Sequence, residues 1–144
     1  MWKLETETDD CSGEALGFLL DELKAAGAFE VHYIPVFMKK NRPGYQIQAL
    51  CKEPNIPAVE AALFAHSTTI GVRRSPLWRT ALERQIRQVE TPYGTAWAKF
   101  VTLPNGTLRG YPEHDDVAKL AREANTGYQD VRRAVLAAID AQLR

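Results

Sequence analysis

Apolar and polar positions alternate singly from Trp2 to Thr8, so an extended chain carries Leu4, Thr6 and Thr8 on one side and Glu5, Glu7 and Asp9 on the other. The period then changes. From Ser12 to Ala26, Leu16, Leu19, Leu20 and Leu23 recur at the spacing of an amphipathic helix, and Gly27 stands where a C-terminal cap belongs. Phe29 to Met38 is rich in β-branched and aromatic residues and predicts a second strand, followed by the basic turn Lys39-Lys40-Asn41-Arg42-Pro43-Gly44. Tyr45, Ile47, Ala49 and Cys51 alternate through a third strand, Pro54 to Ser67 predicts a helix with Pro57 in its first turn, and a fourth strand begins near Thr69. The order β-α-β-β-α-β is the ferredoxin-like split βαβ arrangement.

Beyond it, residues 83–103 predict more strand around a turn at Thr91-Pro92-Tyr93-Gly94, and Pro104-Asn105-Gly106 marks a hairpin into a short extended piece, Thr107 to Tyr111. The end is helical. Val117, Leu120, Ala121 and Ala124 form one apolar stripe, Val131, Val135, Ala138 and Ile139 another, and Thr126 and Gln129 have capping-box spacing. The expected class is α+β: a ferredoxin-like core at 1–82, a β-hairpin extension at 83–111 and a C-terminal helical pair at 112–144. No linker composition or repeat splits the chain, so 1–144 reads as a single domain.

Composition narrows the functions. A chain of 144 residues with 45% hydrophobic content can bury a core of its own. Eighteen basic residues balance eighteen acidic ones, so no net field recruits nucleic acid or an anionic membrane, and charge-based chemistry must come from local clusters. The opening residues do not read as a secretory leader and no apolar run approaches the roughly 20 residues that cross a bilayer, which makes a cytoplasmic protein the expectation. Cys11 and Cys51 have no zinc-site spacing. Cys51 closes an apolar strand row and reads as a buried hydrophobe, while Cys11 sits in an acidic turn.

Two kinds of cluster remain. Glu5, Glu7 and Asp9 share a strand face and Asp10 and Glu14 flank the next helix start, a set of hard oxygen donors suited to Mg²⁺ or Mn²⁺. The plainer reading has Asp9, Asp10 and Ser12 capping that helix and complementing its dipole. Lys39, Lys40 and Arg42 beside Gly44, and Arg73 and Arg74 after Thr68-Thr69-Ile70-Gly71, suit phosphate, although neither is a Walker loop and each cluster alone is more often a solvated turn. Together the clusters suggest a metal-nucleoside triphosphate site. Reading the topology from sequence puts Asp9 and Asp10 near Thr69 to Arg74, with the Lys39–Gly44 turn at the opposite edge, roughly 23 Å away at about 3.3 Å per residue. A site using both Asp10 and Lys40 then needs two subunits, and a homo-oligomer with interfacial sites is expected. His32 and His66 read as packing or surface residues, His114 in Pro112-Glu113-His114-Asp115-Asp116 as a helix start or a nickel ligand, and the three tryptophans as packing anchors. No Ser/His/Asp nucleophile set can be assembled.

The stretches Glu5-Thr6 with Asp9-Asp10, Ser12-Gly13-Glu14, Met38 to Gly44, Thr68 to Arg74, Glu90 to Gly94 and Pro112-Glu113 resemble, in the same order, the C-terminal half of the LarC family of nickel-insertion proteins. The resemblance runs from about residue 4 to the C-terminus. It implies a ferredoxin-like, oligomeric domain of a CTP-dependent cyclometallase, a nickel chelatase of the lyase class. That family inserts nickel into a pyridinium bisthiocarboxylate mononucleotide, consuming CTP to CMP with Mn²⁺ or Mg²⁺, to make the nickel-pincer cofactor of lactate racemase. By motif position it implies Asp9 and Asp10 as metal ligands with Glu14 behind them. Lys39, Lys40, Asn41, Arg42, Arg73, Arg74 and Ser12 would hold the nucleotide, and Asp9, Asp10 and Lys40 would serve catalysis. Family members carry Asn at Glu7, an aliphatic residue at Thr8 and usually Met at Cys11. The resemblance also implies a missing N-terminal half, with a histidine-rich segment, as a partner without which insertion does not occur. A non-catalytic ferredoxin-like module that binds a metal-nucleotide for oligomerisation or regulation is the alternative.

Overall fold

In the computed structural model, which describes residues 1–144, strand β1 (Trp2–Thr8) buries Leu4, Thr6 and Thr8 and turns Glu5 and Glu7 to the other face, as its alternation requires. Helix α1 (Gly13–Ala25) begins at Ser12, whose hydroxyl accepts the Ala15 N–H at 3.2 Å, and buries Leu16, Leu19 and Leu23. Gly27, at φ 101°, turns the chain out of the helix into β2 (Ala28–Phe37). Then follow β3 (Pro43–Cys51), α2 (Ile56–His66) and β4 (Arg73–Pro76). The sheet order is β2-β3-β1-β4 with every neighbour antiparallel, the order of a split βαβ unit. Both helices cover one face, where Leu4, Ile47 and Ala49 meet Leu19, Leu23, Val59 and Leu63. Each fully buried leucine there contributes roughly 1.5–3 kcal/mol. Cys51 lies in this core, where burial pushes its thiol pKa up, and Cys11 packs partly against it; neither is bridged. β4 starts at Arg73 rather than near Thr69, because the threonines of 68–69 bond to β1 and Asp10 through their side chains and leave a loop in place of a ladder.

The chain divides into two compact units, Met1–Arg79 and Thr80–Arg144, where the sequence was read without a split. In the second, β5 (Arg84–Thr91), β6 (Gly94–Thr102) and β7 (Leu108–Pro112) form an antiparallel sheet, followed by α3 (His114–Glu123) and α4 (Tyr128–Gln142). Val89, Ala98 and Phe100 pack against Val117, Val131, Val135 and Ile139, so the segments 83–111 and 112–144, expected as two appendages, share one core. A Cβ at Gly110 would fall 2.2 Å from Ile139 Cγ2, and only glycine lets α4 lie this close to β7. The expected capping box at Thr126 is not used. The Thr126 N–H still bonds back to Ala121 O, Asn125 turns at φ 46°, and α4 starts a residue later, with Gly127 as its cap.

The tryptophans are not the packing anchors expected. Trp2 is partly buried against the first core, but Trp78 is 89% exposed and Trp97 46%. No helix is long and apolar enough to cross a membrane.

Candidate functional site

β1 and β2 both run antiparallel to β3, which lies between them, so the β2–β3 turn sits at the end where β1 finishes. Thr8 is paired with Tyr45 and Phe37 with Pro43, and Arg42 Nη1 comes within 3.4 Å of Asp9 Oδ2. This overturns the strand-length separation expected between the acidic and basic clusters, and with it the deduction that two subunits are needed. The error lay in placing the turn at the wrong end of β1. Gly44 makes the approach sterically feasible, since a Cβ there would lie 2.5 Å from the Thr8 carbonyl oxygen and 2.8 Å from Met38 Sδ. Its missing side chain admits β1, and not, as the sequence suggested, a phosphate.

Asp10 is aimed by hydroxyls. Thr8 Oγ1 donates to Asp10 Oδ1 at 3.0 Å, Thr68 Oγ1 donates to the same oxygen, and the two hydroxyls lie 2.7 Å apart. One residue pair back, Thr6 Oγ1 contacts Thr69 Oγ1 and donates to Gly71 O at 2.8 Å. Thr6 and Thr8 are both buried, so their hydroxyls need these partners. Hydrogen bonds from Thr68 and then Thr8 hold the Asp10 carboxyl below its usual value, keeping it an anion. This threonine set was missed in the sequence. The signal was present: two hydroxyls on an otherwise apolar strand row require partners across the fold.

The other carboxylates are spoken for. Arg73 Nε contacts Glu5 Oε1 at 3.1 Å and its Nη2 contacts Glu7 Oε1 at 2.8 Å. Lys3 Nζ lies 2.7 Å from Glu5 Oε2, and Gln46 Nε2 donates to Glu7 Oε1 at 3.1 Å. Lys3 first, then Arg73, lowers the Glu5 pKa; Gln46 first, then Arg73, lowers that of Glu7. Glu5 and Glu7 therefore neutralise cations on the open sheet face and do not converge with Asp9 as expected. Glu14 lies exposed in the first turn of α1, and Ser12 caps that helix. No three histidine, cysteine or acidic side chains gather around one metal-sized space.

Arg73 and Arg74 point to opposite faces, being neighbours in a strand. Arg74 makes a two-nitrogen pair with the Glu60 carboxylate of α2, so it does not join Arg73 at the groove. In the basic turn Lys39 and Lys40 are exposed and make no ion pair, and Lys40 and Asn41 sit at φ 60° and 58°. A lysine held in the left-handed region costs roughly 1 kcal/mol or more, and such strain concentrates at binding turns. His32 pairs with Glu30 at 3.1 Å, His66 lies 3.8 Å from Glu22, and His114 Nδ1 is 2.9 Å from Tyr128 Oη.

Two concavities meet at Asp9. One, about 410 Å³, runs past Asp9, Asp10, Met38, Thr68, Ile70 and Arg73; the other, about 420 Å³, is walled by Cys11, Phe37, Pro43 and Tyr45. Both fall within the general size range of small-molecule sites. Asp9 and Asp10 are two adjacent carboxylates, a donor type that a hard divalent cation accepts alongside phosphate and water, although Asp9 lies against Arg42 and Asp10 Oδ1 accepts two hydroxyls.

The chain belongs to the nickel insertion protein family, whose model matches residues 1–132. The pyridinium-3,5-bisthiocarboxylic acid mononucleotide nickel insertion protein of Alkaliphilus metalliredigens (strain QYMF) is 38% identical over 130 residues, covering 90% of this chain and 31% of that protein. The protein of the same name from Geobacillus kaustophilus (strain HTA426) is 38% identical over 128 residues, 89% of this chain and 31% of its own length. The chain thus spans about a third of the length of these curated relatives. Among solved structures, the apo C-terminal domain of a cyclometallase involved in synthesis of the NPN cofactor of lactate racemase superposes with a TM-score of 0.87 at 33% identity, covering 96% of each chain. A protein from Methanopyrus kandleri AV19 gives a TM-score of 0.72 at 22% identity over 96% of this chain and 85% of its own, a likeness of fold alone.

Proposed function

We propose that this chain is the nucleotide-binding part of a nickel insertion protein. In this reading it binds CTP with Mg²⁺ or Mn²⁺ and supports CTP-dependent insertion of nickel into pyridinium bisthiocarboxylate mononucleotide, acting with the N-terminal part that its relatives carry. The observation that carries the reading is the convergence of Asp9 and Asp10 with the Lys39–Arg42 turn and Arg73 at one strand end. Asp9 and Asp10 would hold the divalent cation, which would supply charge neutralisation to a triphosphate. Arg42, 3.4 Å from Asp9, and the exposed Lys39 and Lys40 of the same turn would take the phosphate oxygens that the cation leaves free. Arg73 is partly neutralised by Glu5 and Glu7, so its part is to hold the groove wall and supply a weaker positive edge. The geometry lets one protomer supply every group, and a homo-oligomer is no longer required to complete the site.

The alternative, a metal-nucleotide module without catalysis, has one observation in its favour. Asp10 is held by hydroxyl donors below its ordinary carboxyl pKa, which makes it a poor proton acceptor and a good fixed anion. Calorimetry with CTP, with and without Mn²⁺, followed by analysis for CMP, separates the readings. Metal-dependent binding with CMP formed once the N-terminal part and precursor are added supports the first. Binding without turnover under those conditions supports the module, and no binding overturns both.

A further inference from the structure

The alternation that buries Val89, Ala98 and Phe100 turns the other rows of the β5-β6-β7 sheet outward. Arg84, Val101 and Arg109 form the outward row at one end. Ile86, Lys99 and Tyr111 form the next, Trp97 stands opposite Gln88 in the third, and Glu90 stands opposite Thr95 in the last. A sheet face in water is ordinarily polar. Here Ile86 is 59% exposed, Trp97 46% and Tyr111 47%.

The two ends of this face carry opposite charge. A concavity of about 500 Å³ lies against Ile86 and Trp97, and its far wall holds Glu113, Asp115 and Asp116. Glu113 is paired with Lys99 Nζ at 2.9 Å, and Asp116 Oδ2 accepts the Trp97 N–H at 2.6 Å. Asp115 pairs with no cation, and the Glu90 carboxylate accepts only the Thr95 hydroxyl. At the other end Arg84 and Arg109 make no ion pair within the chain. Four exposed charges thus lack an ionic partner, and they are ordered: Glu90 to Arg84 along β5, and Asp115 to Arg109 on the β7 side.

We infer that this face docks on the same face of a second copy of the chain, sheet on sheet, about a twofold axis that lies between the sheets and runs across the strands at the level of Ala98. Such an axis reverses the order of the rows and keeps β5 over β5. Glu90 of one copy then stands over Arg84 of the other and Asp115 over Arg109, each pair made twice. The same operation sets Trp97 over the row of Ile86, Lys99 and Tyr111, so the exposed apolar surface of both copies is covered at the centre with the charges at the rim. A twofold axis along the strands would instead set Glu90 on Asp115 and Arg84 on Arg109, like charges that repel. The charge order thus selects one arrangement of the two. From Glu90 to Arg84 the face runs about 20 Å at about 3.3 Å per residue, over only three strands. That is at the small end of specific interfaces, so the dimer is weak and forms with concentration. The inference is independent of the nucleotide groove, whose residues all lie in the first unit.

Sedimentation velocity on the 144-residue chain tests it. The unaltered chain should be monomeric near about 10 μM and largely dimeric near about 1 mM. Trp97→Ser should weaken association about tenfold. The all-acidic face of Arg84→Glu, Arg109→Glu and the all-basic face of Glu90→Arg, Asp115→Arg should each abolish self-association, and an equimolar mixture of the two double variants should recover a dimer. Recovery in the mixture also shows that both variants fold. A chain still monomeric near about 1 mM leaves the face to a partner of other sequence and overturns the inference. So does equal association in Trp97→Ser, or a mixture that stays monomeric although each variant keeps the circular dichroism of the unaltered chain.

Discussion

The open faces of the two sheets contrast. In the first unit Lys3, Glu5, Glu7, Gln46 and Arg73 satisfy one another, so the face is a closed set of charges and its chemistry is displaced to the strand ends, where Asp9, Asp10 and the basic turn meet. In the second unit the face leaves aromatic rings and two guanidinium groups without partners. A row of charged residues in a strand can thus be either a site or its scaffold, and only cross-strand register decides which. Arg73 and Arg74 show this within one dipeptide: one borders the groove, the other is locked to Glu60 on the helical side.

The sharpest way to break this contrast is at Asp10. Asp10→Ala should weaken CTP binding roughly a hundredfold with Mn²⁺ and leave metal-free binding unchanged. Lys40→Ala should weaken binding both with and without metal, and calorimetry showing equal behaviour of the two variants would remove the distinction between cation-holding and phosphate-holding groups. Next is Gly44→Ala, which forces a methyl against the Thr8 carbonyl and should cost about 1–3 kcal/mol in urea unfolding while loosening the Asp9–Arg42 approach. A neutral result there would mean that the close passage of β3 is not what brings the clusters together. Arg74→Ala should leave CTP affinity within about twofold, its exposed pair with Glu60 being worth little; a large loss would return Arg74 to the phosphate site.

The smallest expected effect is on acid stability. Glu5, Glu7 and Asp10 all have folded-state pKa values below their ordinary 4.5 or 3.8. The unfolded chain therefore binds more protons, and the stability these groups contribute is complete above about pH 5 and lost as pH falls through the folded values. Arg73→Ala should flatten this acid limb by within about 1 kcal/mol, since the pairs are largely solvated. An unchanged limb would show that Glu5 and Glu7 do not depend on Arg73.

β1 and α1 were legible because each has one clean period, two in β1 and 3.6 in α1 with Ser12 before it and Gly27 after it. The residues of the site were legible as charge clusters. Their arrangement was not. Which end of β1 the basic turn occupies follows from β3 running between β1 and β2, which the split βαβ order already implies and the sequence reading misplaced. The roles of Glu5, Glu7 and Arg74 shifted because each finds a partner on another strand or on the helical layer. Threonine hydroxyls escaped notice because a period-two threonine fits an ordinary strand, and only the burial of Thr6 and Thr8 exposes their need for Thr68 and Thr69.

The central claim is that one protomer brings both charge clusters to a single cation-bound triphosphate. It is tested most directly by mixing two defective chains, Asp10→Ala and the triple variant Lys39→Ala, Lys40→Ala, Arg42→Ala, and measuring Mn²⁺-dependent CTP binding by calorimetry. The unaltered chain should bind, each variant alone should not, and their equimolar mixture should remain silent. Recovery of binding in the mixture would show that the acidic end of one chain works with the basic turn of another.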